Sequence, residues 1–222
     1  HGTFISRAWI WRFSTRRPPA DQPRSERLVE RLVELVAAAA ARRVEASPLF
    51  PLASHWHQEA EALLPTGPVY VGLAPGAGNK ARGKCWPLDN YIALARDQLA
   101  KGRMPVFILG PGEADWQAEI AAAVPQALMP DLEGGPAVTV ALAQRCAVGV
   151  ANCAGTGHMM AGGGCAMVSL FAPTDPRKYA PFTPHITCLR AQEFGGDEIE
   201  RIPLAAVAAA VDALLCSGAP VF

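Results

Sequence analysis

With 222 residues, half of them apolar, and 20 Lys and Arg against 20 Asp and Glu, the chain can close one sizeable core, or one core and part of another, at zero formal charge. That balance offers no basic field for a polyanion, and no Cys/His spacing reads as a zinc finger, which argues against nucleic acid as a partner. The six cysteines are scattered and never form CxxC, as reduced cytosolic thiols do, and the longest apolar tracts, 35–41 and 159–171, are too short to span a bilayer.

Residues 1–27 set Arg7, Arg12, Arg16, Arg17, Arg24 and Arg27 beside Trp9, Trp11 and Phe13, with Pro18, Pro19 and Pro23 following. Such a segment makes no core alone. One reading is a peripheral patch touching anionic lipid at the inner membrane. The preferred reading is the tail of a domain that begins upstream, since the chain opens on His1 without an initiator Met or a signal-peptide pattern. From Arg27 to about Val44 the spacing of Leu28, Leu32, Val33, Leu35 and Val36 predicts a helix, and His55 to Leu64 predicts a shorter one.

After Pro68 short apolar runs alternate with helical segments. Strands are predicted at Val69–Ala74, Pro105–Leu109, Ala147–Ala151 and Ala166–Phe171, with weaker signals at Ala127–Met129 and Ile186–Leu189. Helices are predicted at Leu88–Lys101, Ala114–Ala123, Val138–Arg145, Gly155–Gly162 and Pro203–Leu215. The alternation predicts an α/β fold, a parallel sheet covered on both faces.

Ligands of such sheets bind where the loops gather beyond the carboxyl ends of the strands. Two small-residue loops follow predicted strands, Pro75-Gly76-Ala77-Gly78-Asn79 and Asn152-Cys153-Ala154-Gly155-Thr156-Gly157-His158. Small residues at a strand-to-helix turn leave backbone N–H groups able to hold an anion, and two such loops suggest one nucleotide. Lys84 can set an ammonium against a phosphate oxygen, with Lys80 and Arg82 as weaker candidates. Glu113, after Leu109-Gly110-Pro111-Gly112, can accept hydrogen bonds from vicinal sugar hydroxyls or simply complement a helix start. His158, one turn into its helix, can lend a donor to a diphosphate or sugar, or serve the packing alone. Cys153 has no base or orienting group placed beside it by sequence and is not read as a nucleophile. Neither GxGxxG nor GxxxxGK[ST] is complete, which disfavours a nicotinamide enzyme or a P-loop ATPase.

Taken in order, Pro75-Gly76-Ala77, Lys84-Cys85-Trp86-Pro87, Leu109-Gly110-Pro111-Gly112-Glu113, Asn152-Cys153-Ala154-Gly155 with His158, and Leu170-Phe171-Ala172-Pro173-Thr174-Asp175-Pro176 with Pro181 resemble the carboxyl-terminal half of glycosyltransferase family 9, the ADP-heptose:lipopolysaccharide heptosyltransferases. The resemblance covers residues 69 to 215. It implies a GT-B architecture, in which a Rossmann-like doubly wound domain, here 66–218, grips a nucleotide-sugar donor. Residues 1–65 would then be the remnant of the acceptor domain and the crossover.

By the same likeness, Lys84 and the loop Gly76, Ala77, Gly78, Asn79 and Lys80 contact the diphosphate, Glu113 the ribose, and the amides of Ala154 and Gly155 the phosphates. The segment from Leu132 to Gly135 lies near adenine. Transfer in the family inverts the anomeric centre without metal or cofactor, and the base comes from the first domain, so this chain carries no catalytic residue. The implied partners are an ADP-linked sugar and a glycolipid or glycan acceptor, and the implied place is cytoplasmic, peripheral to the inner membrane. Two positions depart from the pattern: Cys153 stands where the family has an acid facing donor-sugar hydroxyls, and Ala154 where it has a hydroxyl residue. A thiol is a poor acceptor, so a non-catalytic nucleotide- or sugar-phosphate-binding module is the alternative.

Overall fold

A computed structural model describes residues 27–41, 43, 45, 47, 49–78 and 83–217. The chain divides into two compact units, His1–Ser47 with Arg177–Tyr179, and Pro48–Pro176 with Ala180–Phe222. In the first, helix α1 (Leu28–Ala40) has no buried residue. Its apolar stripe of Leu28, Leu32, Leu35 and Val36 is exposed. The sequence predicts this helix to about Val44, but it stops earlier, where Ala41 turns left-handed with φ 52°.

The second unit is built on a five-stranded sheet in the order β2-β1-β3-β4-β5, comprising β1 (Tyr70–Ala74), β2 (Met104–Phe107), β3 (Cys146–Asn152), β4 (Ala166–Phe171) and β5 (Ile186–Arg190). Every pairing is parallel. β1, β3 and β4 are buried along their whole length, as unbroken apolar runs covered on both faces should be. The α/β doubly wound sheet expected from the sequence is therefore the fold. The weak signal at Ala127–Met129 yields a single bridge, Val106 to Leu128, at the outer edge of β2.

Side chains alternate along each strand and so divide between two cores, with one break at the start of β3, where the register against β1 shifts after Cys146. Val71, Leu73, Val148, Val150, Val168 and Leu170 face one of them. There they meet α3 (Leu88–Ala100), α4 (Gln117–Ala123) and α8 (Leu204–Cys216). Tyr70, Ala74, Cys146, Ala151 and Met167 face the other, with α2 (Ser54–Leu63), α5 (Pro136–Gln144) and α6 (Gly155–Gly162). In chain order a one-turn helix, α7 (Pro176–Tyr179), follows β4, and its residues Arg177–Tyr179 belong to the first unit.

Helix ends follow local chemistry. α3 starts after Pro87 with Asp89 in its first turn, which suits the dipole. It closes at Gly102, whose φ of 72° only glycine adopts without strain. The helix predicted at Ala114–Ala123 is instead a 3₁₀ stretch, Pro111–Trp116, leading into α4.

Candidate functional site at the sheet switch point

The chain runs from β1 outward to β2 and then crosses back to lay β3 on the other side of β1. The loops after β1 and β3 therefore diverge at their carboxyl ends and leave a crevice, the usual ligand position in open α/β sheets. A cleft of about 570 Å³ lies there. Gly76, Ala77, Gly78, Lys84, Glu113, Cys153, Ala154 and Gly155 all line it, together with Pro111, Gly112, Thr156 and Met159. Loops from three strand ends thus meet in one cavity of ligand size.

The start of α6 forms one wall. Cys153 N–H extends the ladder by donating to Leu170 O at 3.0 Å, and the next two residues, Ala154 and Gly155, line the cleft. Ala154 occupies the N-cap and supplies no side-chain cap. The first-turn N–H groups, which have no acceptor within the helix, thus border the cavity with the positive end of the helix dipole.

Opposite them, Glu113 is 7% exposed. One of its carboxylate oxygens accepts the Gly110 N–H at 2.9 Å, while its own N–H donates to Gly110 O at 3.0 Å. These reciprocal bonds wind Pro111–Trp116 into the 3₁₀ turn and hold the acid at the cleft wall. Gly76 packs directly against it: a β-carbon at Gly76 would lie 2.5 Å from the Glu113 carboxyl carbon, so a larger residue there must displace the carboxylate.

Asn152, at the end of β3, is 1% exposed. Its Nδ2 donates to Pro75 O at 2.7 Å, and its Oδ1 accepts the Trp86 N–H at 3.0 Å. Trp86 is buried and its indole N–H donates to Ile202 O at 2.8 Å. Its ring meets Tyr91 edge-on, with centroids 5.2 Å apart.

A second cavity, of about 450 Å³, shares Pro111 with the first. Leu109, Ala114, Met129 and Leu132 give it apolar walls, and Gln117, Asp131 and Glu133 a polar rim. Asp131 accepts the Glu133 N–H at 3.0 Å, which fixes the turn that carries Leu132.

Of the residues read as site candidates, Asn79 and Lys80 lie outside the described residues. Leu132 lines the second cavity and not the first, and His158 lines neither. His158 is exposed, yet enough protein surrounds the ring for desolvation to lower its pKa below the ordinary value. Thr156 and Met159, three residues apart and hence on one side of the first turn of α6, line the cleft without having been read as candidates. Helical spacing from Gly155 reaches Met159, four residues on. Among the buried thiols, Cys146 is pushed up to about 12 by burial, and Cys165 is raised for the same reason. Neither is a ready nucleophile. Among the described residues, no three His, Cys, Asp or Glu gather as a metal site would, and no helix is long and apolar enough to cross a membrane.

A model of glycosyltransferase family 9 (heptosyltransferase) matches residues 5–201. Among solved structures, the chain is similar to the ADP-heptose LPS heptosyltransferase II of E. coli, with a TM-score of 0.71 and 20% identity over 86% of this chain and 62% of that one. It is also similar to a family 9 glycosyl transferase from Veillonella parvula DSM 2008, with a TM-score of 0.75 and 17% identity over 87% and 61%. E. coli heptosyltransferase WaaC with ADP gives 0.65 and 20% over 86% and 58%. The chain thus spans about three fifths of the length of these structures. No curated protein matches it in sequence.

Proposed function

Because the chain belongs to glycosyltransferase family 9, we propose that the sheet-end cleft binds a nucleotide-diphosphate sugar, ADP-heptose or a close analogue, for metal-independent, inverting glycosyl transfer to a lipopolysaccharide or related glycan. One observation carries this reading: Lys84, the Gly76–Gly78 loop and the amide-presenting turn of Ala154 and Gly155 line a single cavity at the switch point. An ammonium and two backbone amides converging there neutralise a diphosphate at short range. Glu113, with acceptor capacity beyond its Gly110 bond, takes the ribose hydroxyls. The base enters the adjoining cavity beside Leu132, where apolar walls receive a flat ring. Asn79 and Lys80 extend the diphosphate loop in this reading, and His158 lies at the margin of the donor sugar.

In this proposal, residues 66–218 form the donor-binding domain and 1–65 the end of the acceptor domain with its crossover. The base that activates the acceptor hydroxyl comes from that other domain, so this polypeptide alone binds donor and transfers nothing. The full enzyme works at the cytoplasmic side of the inner membrane, where a glycolipid acceptor is presented.

Calorimetric titration of ADP against wild type and Lys84→Ala tests the reading. Loss of the ammonium is expected to weaken binding about tenfold, the effect of one charge-assisted hydrogen bond. Indistinguishable isotherms would count against it.

A second reading, a binding module whose transfer chemistry has been lost, is favoured by Cys153, whose side of the turn lines the cleft where the family pattern has an acid. In the complete protein, Cys153→Asp separates the two. A large gain in transfer from ADP-heptose supports a decayed heptosyltransferase, whereas unchanged, measurable transfer by wild type and variant alike rules out the module.

A further inference from the structure

The side chain of Asn152 bonds two backbone groups, 66 and 77 residues away in sequence, that stand at the two ends of the connection from β1 to α3. Pro75 opens the loop of Gly76–Gly78, and Trp86 follows Lys84 by two residues. Asn152 itself immediately precedes the turn Cys153–Gly155. We infer that Asn152 is a positioning residue, its amide latching the glycine loop and the lysine segment to the end of β3 so that all three reach one diphosphate; this rests on the donor-binding reading above.

The chemistry demands an amide. Pro75 contributes a carbonyl, which only accepts, and Trp86 an N–H, which only donates, so the side chain between them must donate at one end and accept at the other. Asn meets both demands in a site 1% exposed, where an unpaired polar group carries a large desolvation cost. The lysine side of the latch is firm because Trp86 is held a second time, through its indole N–H to Ile202 O. Lys84 is therefore placed from a fixed point, and Asn152 sets the distance from that point to the amides of Ala154 and Gly155. Asn152 touches no donor atom in this scheme and acts through the groups it holds.

Two variants divide the latch. Asn152→Asp keeps the shape and the acceptor for Trp86 but turns a carboxylate toward the Pro75 carbonyl, so the glycine-loop side opens while the Trp86 side holds. Asn152→Ala opens both. Amide hydrogen exchange by NMR on the 222-residue chain reads the difference. In Asn152→Asp, the amide resonances of Gly76, Ala77 and Gly78 are expected to shift with the Trp86 amide still protected, and in Asn152→Ala the Trp86 amide exchanges about tenfold faster. ADP affinity, measured by calorimetry, should fall about tenfold in both, with the melting transition still cooperative.

A Trp86 amide equally protected in wild type and Asn152→Ala overturns the inference, as does ADP affinity unchanged in both variants. A uniform rise in exchange across the whole domain, with no division between the two loops, also overturns it, because it marks a merely structural role. If Asn152→Ala does not fold, the near-isosteric Asp variant carries the test. If wild type binds no ADP, the donor reading falls, and the exchange pattern alone upholds or overturns the latch.

Discussion

The two faces of the sheet solve the packing problem differently. On the face of α3, α4 and α8, branched and aromatic side chains fill the gap: Val71, Leu73, Val148, Val150, Val168 and Leu170 meet Tyr91, Leu94, Ile120 and Val211. On the face of α2, α5 and α6, the strands mix Tyr70, Val106 and Met167 with the small residues Gly72, Gly149, Cys146 and Ala151. Met160 of α6 covers both glycines, since a β-carbon at Gly72 or Gly149 would lie 2.7 or 2.4 Å from its terminal methyl. One side chain of α6 thus fills the space the two glycines leave. α6 is also the helix whose first turn borders the cleft, so packing on this face is coupled to the site. None of the helices on the other face carries a residue that lines the cleft, and their packing can change without moving that turn.

Substitutions that test this contrast fall in a clear order. The largest effect is expected from Gly163→Val, just past α6, because even a β-carbon there would lie 2.4 Å from Val140 O and 2.9 Å from Ala143 Cβ. A backbone carbonyl cannot rotate out of the way, so α5 and α6 must separate, at a cost of about 4 kcal/mol or enough to prevent folding. If Gly163→Val folds, ADP affinity should fall with it, since α6 carries the amides. Leu94→Ala on the opposite face, at a residue 0% exposed, should lose about 3 kcal/mol through lost burial and a residual cavity, roughly 9 °C in melting temperature for a domain of this size. Its ADP affinity should match wild type. Scanning calorimetry with and without ADP checks both, and equal loss of affinity from the two faces would break the contrast.

Much of this architecture is legible in the sequence because it depends on local pattern. The unbroken apolar runs of β1, β3 and β4 and the alternating helices require a covered parallel sheet, and the small-residue loops had to fall at strand ends. What escaped was set by particular side-chain bonds and neighbours rather than by periodicity. The helix read at Ala114–Ala123 begins as a 3₁₀ turn because Glu113 reaches back to the Gly110 amide, a choice that periodicity does not encode. Leu128 carries strand chemistry but finds only one bridging partner at the sheet edge. α1 carries a strong amphipathic pattern yet buries nothing, since periodicity fixes a stripe but not what covers it. Asn152 reads as one more polar residue in a turn, and its two partners are known only once β1, β3 and the Trp86 segment have been brought together. The cleft's location was therefore written in composition and spacing, whereas the latch that fixes its width was not.

The smallest expected effect lies on the large-residue face, at its rim. Asp212 of α8 pairs with Arg103, and with Lys101 at 2.9 Å, while Lys101 also meets Asp97 at 2.7 Å. The Arg103 guanidinium first, and the Lys101 ammonium second, lower the Asp212 pKa below its ordinary 3.8. A carboxylate with a depressed folded pKa contributes stability above its unfolded value and loses that contribution as pH falls through the folded one. Asp212 is more than a third exposed, so solvent screening holds the effect to about 0.5 kcal/mol, roughly 2 °C in melting temperature. Asp212→Asn should therefore melt slightly below wild type at pH 7, and the gap should close as the pH drops below 3.8 and shrink in high salt. ADP affinity should be untouched, because this network ties α8 to the turn before the amino end of β2, whereas the cleft lies beyond the carboxyl ends of the strands. A gap of many degrees that persists in acid would mean that the rim holds the domain together by something other than charge, and that the large-residue face is less tolerant than its packing suggests.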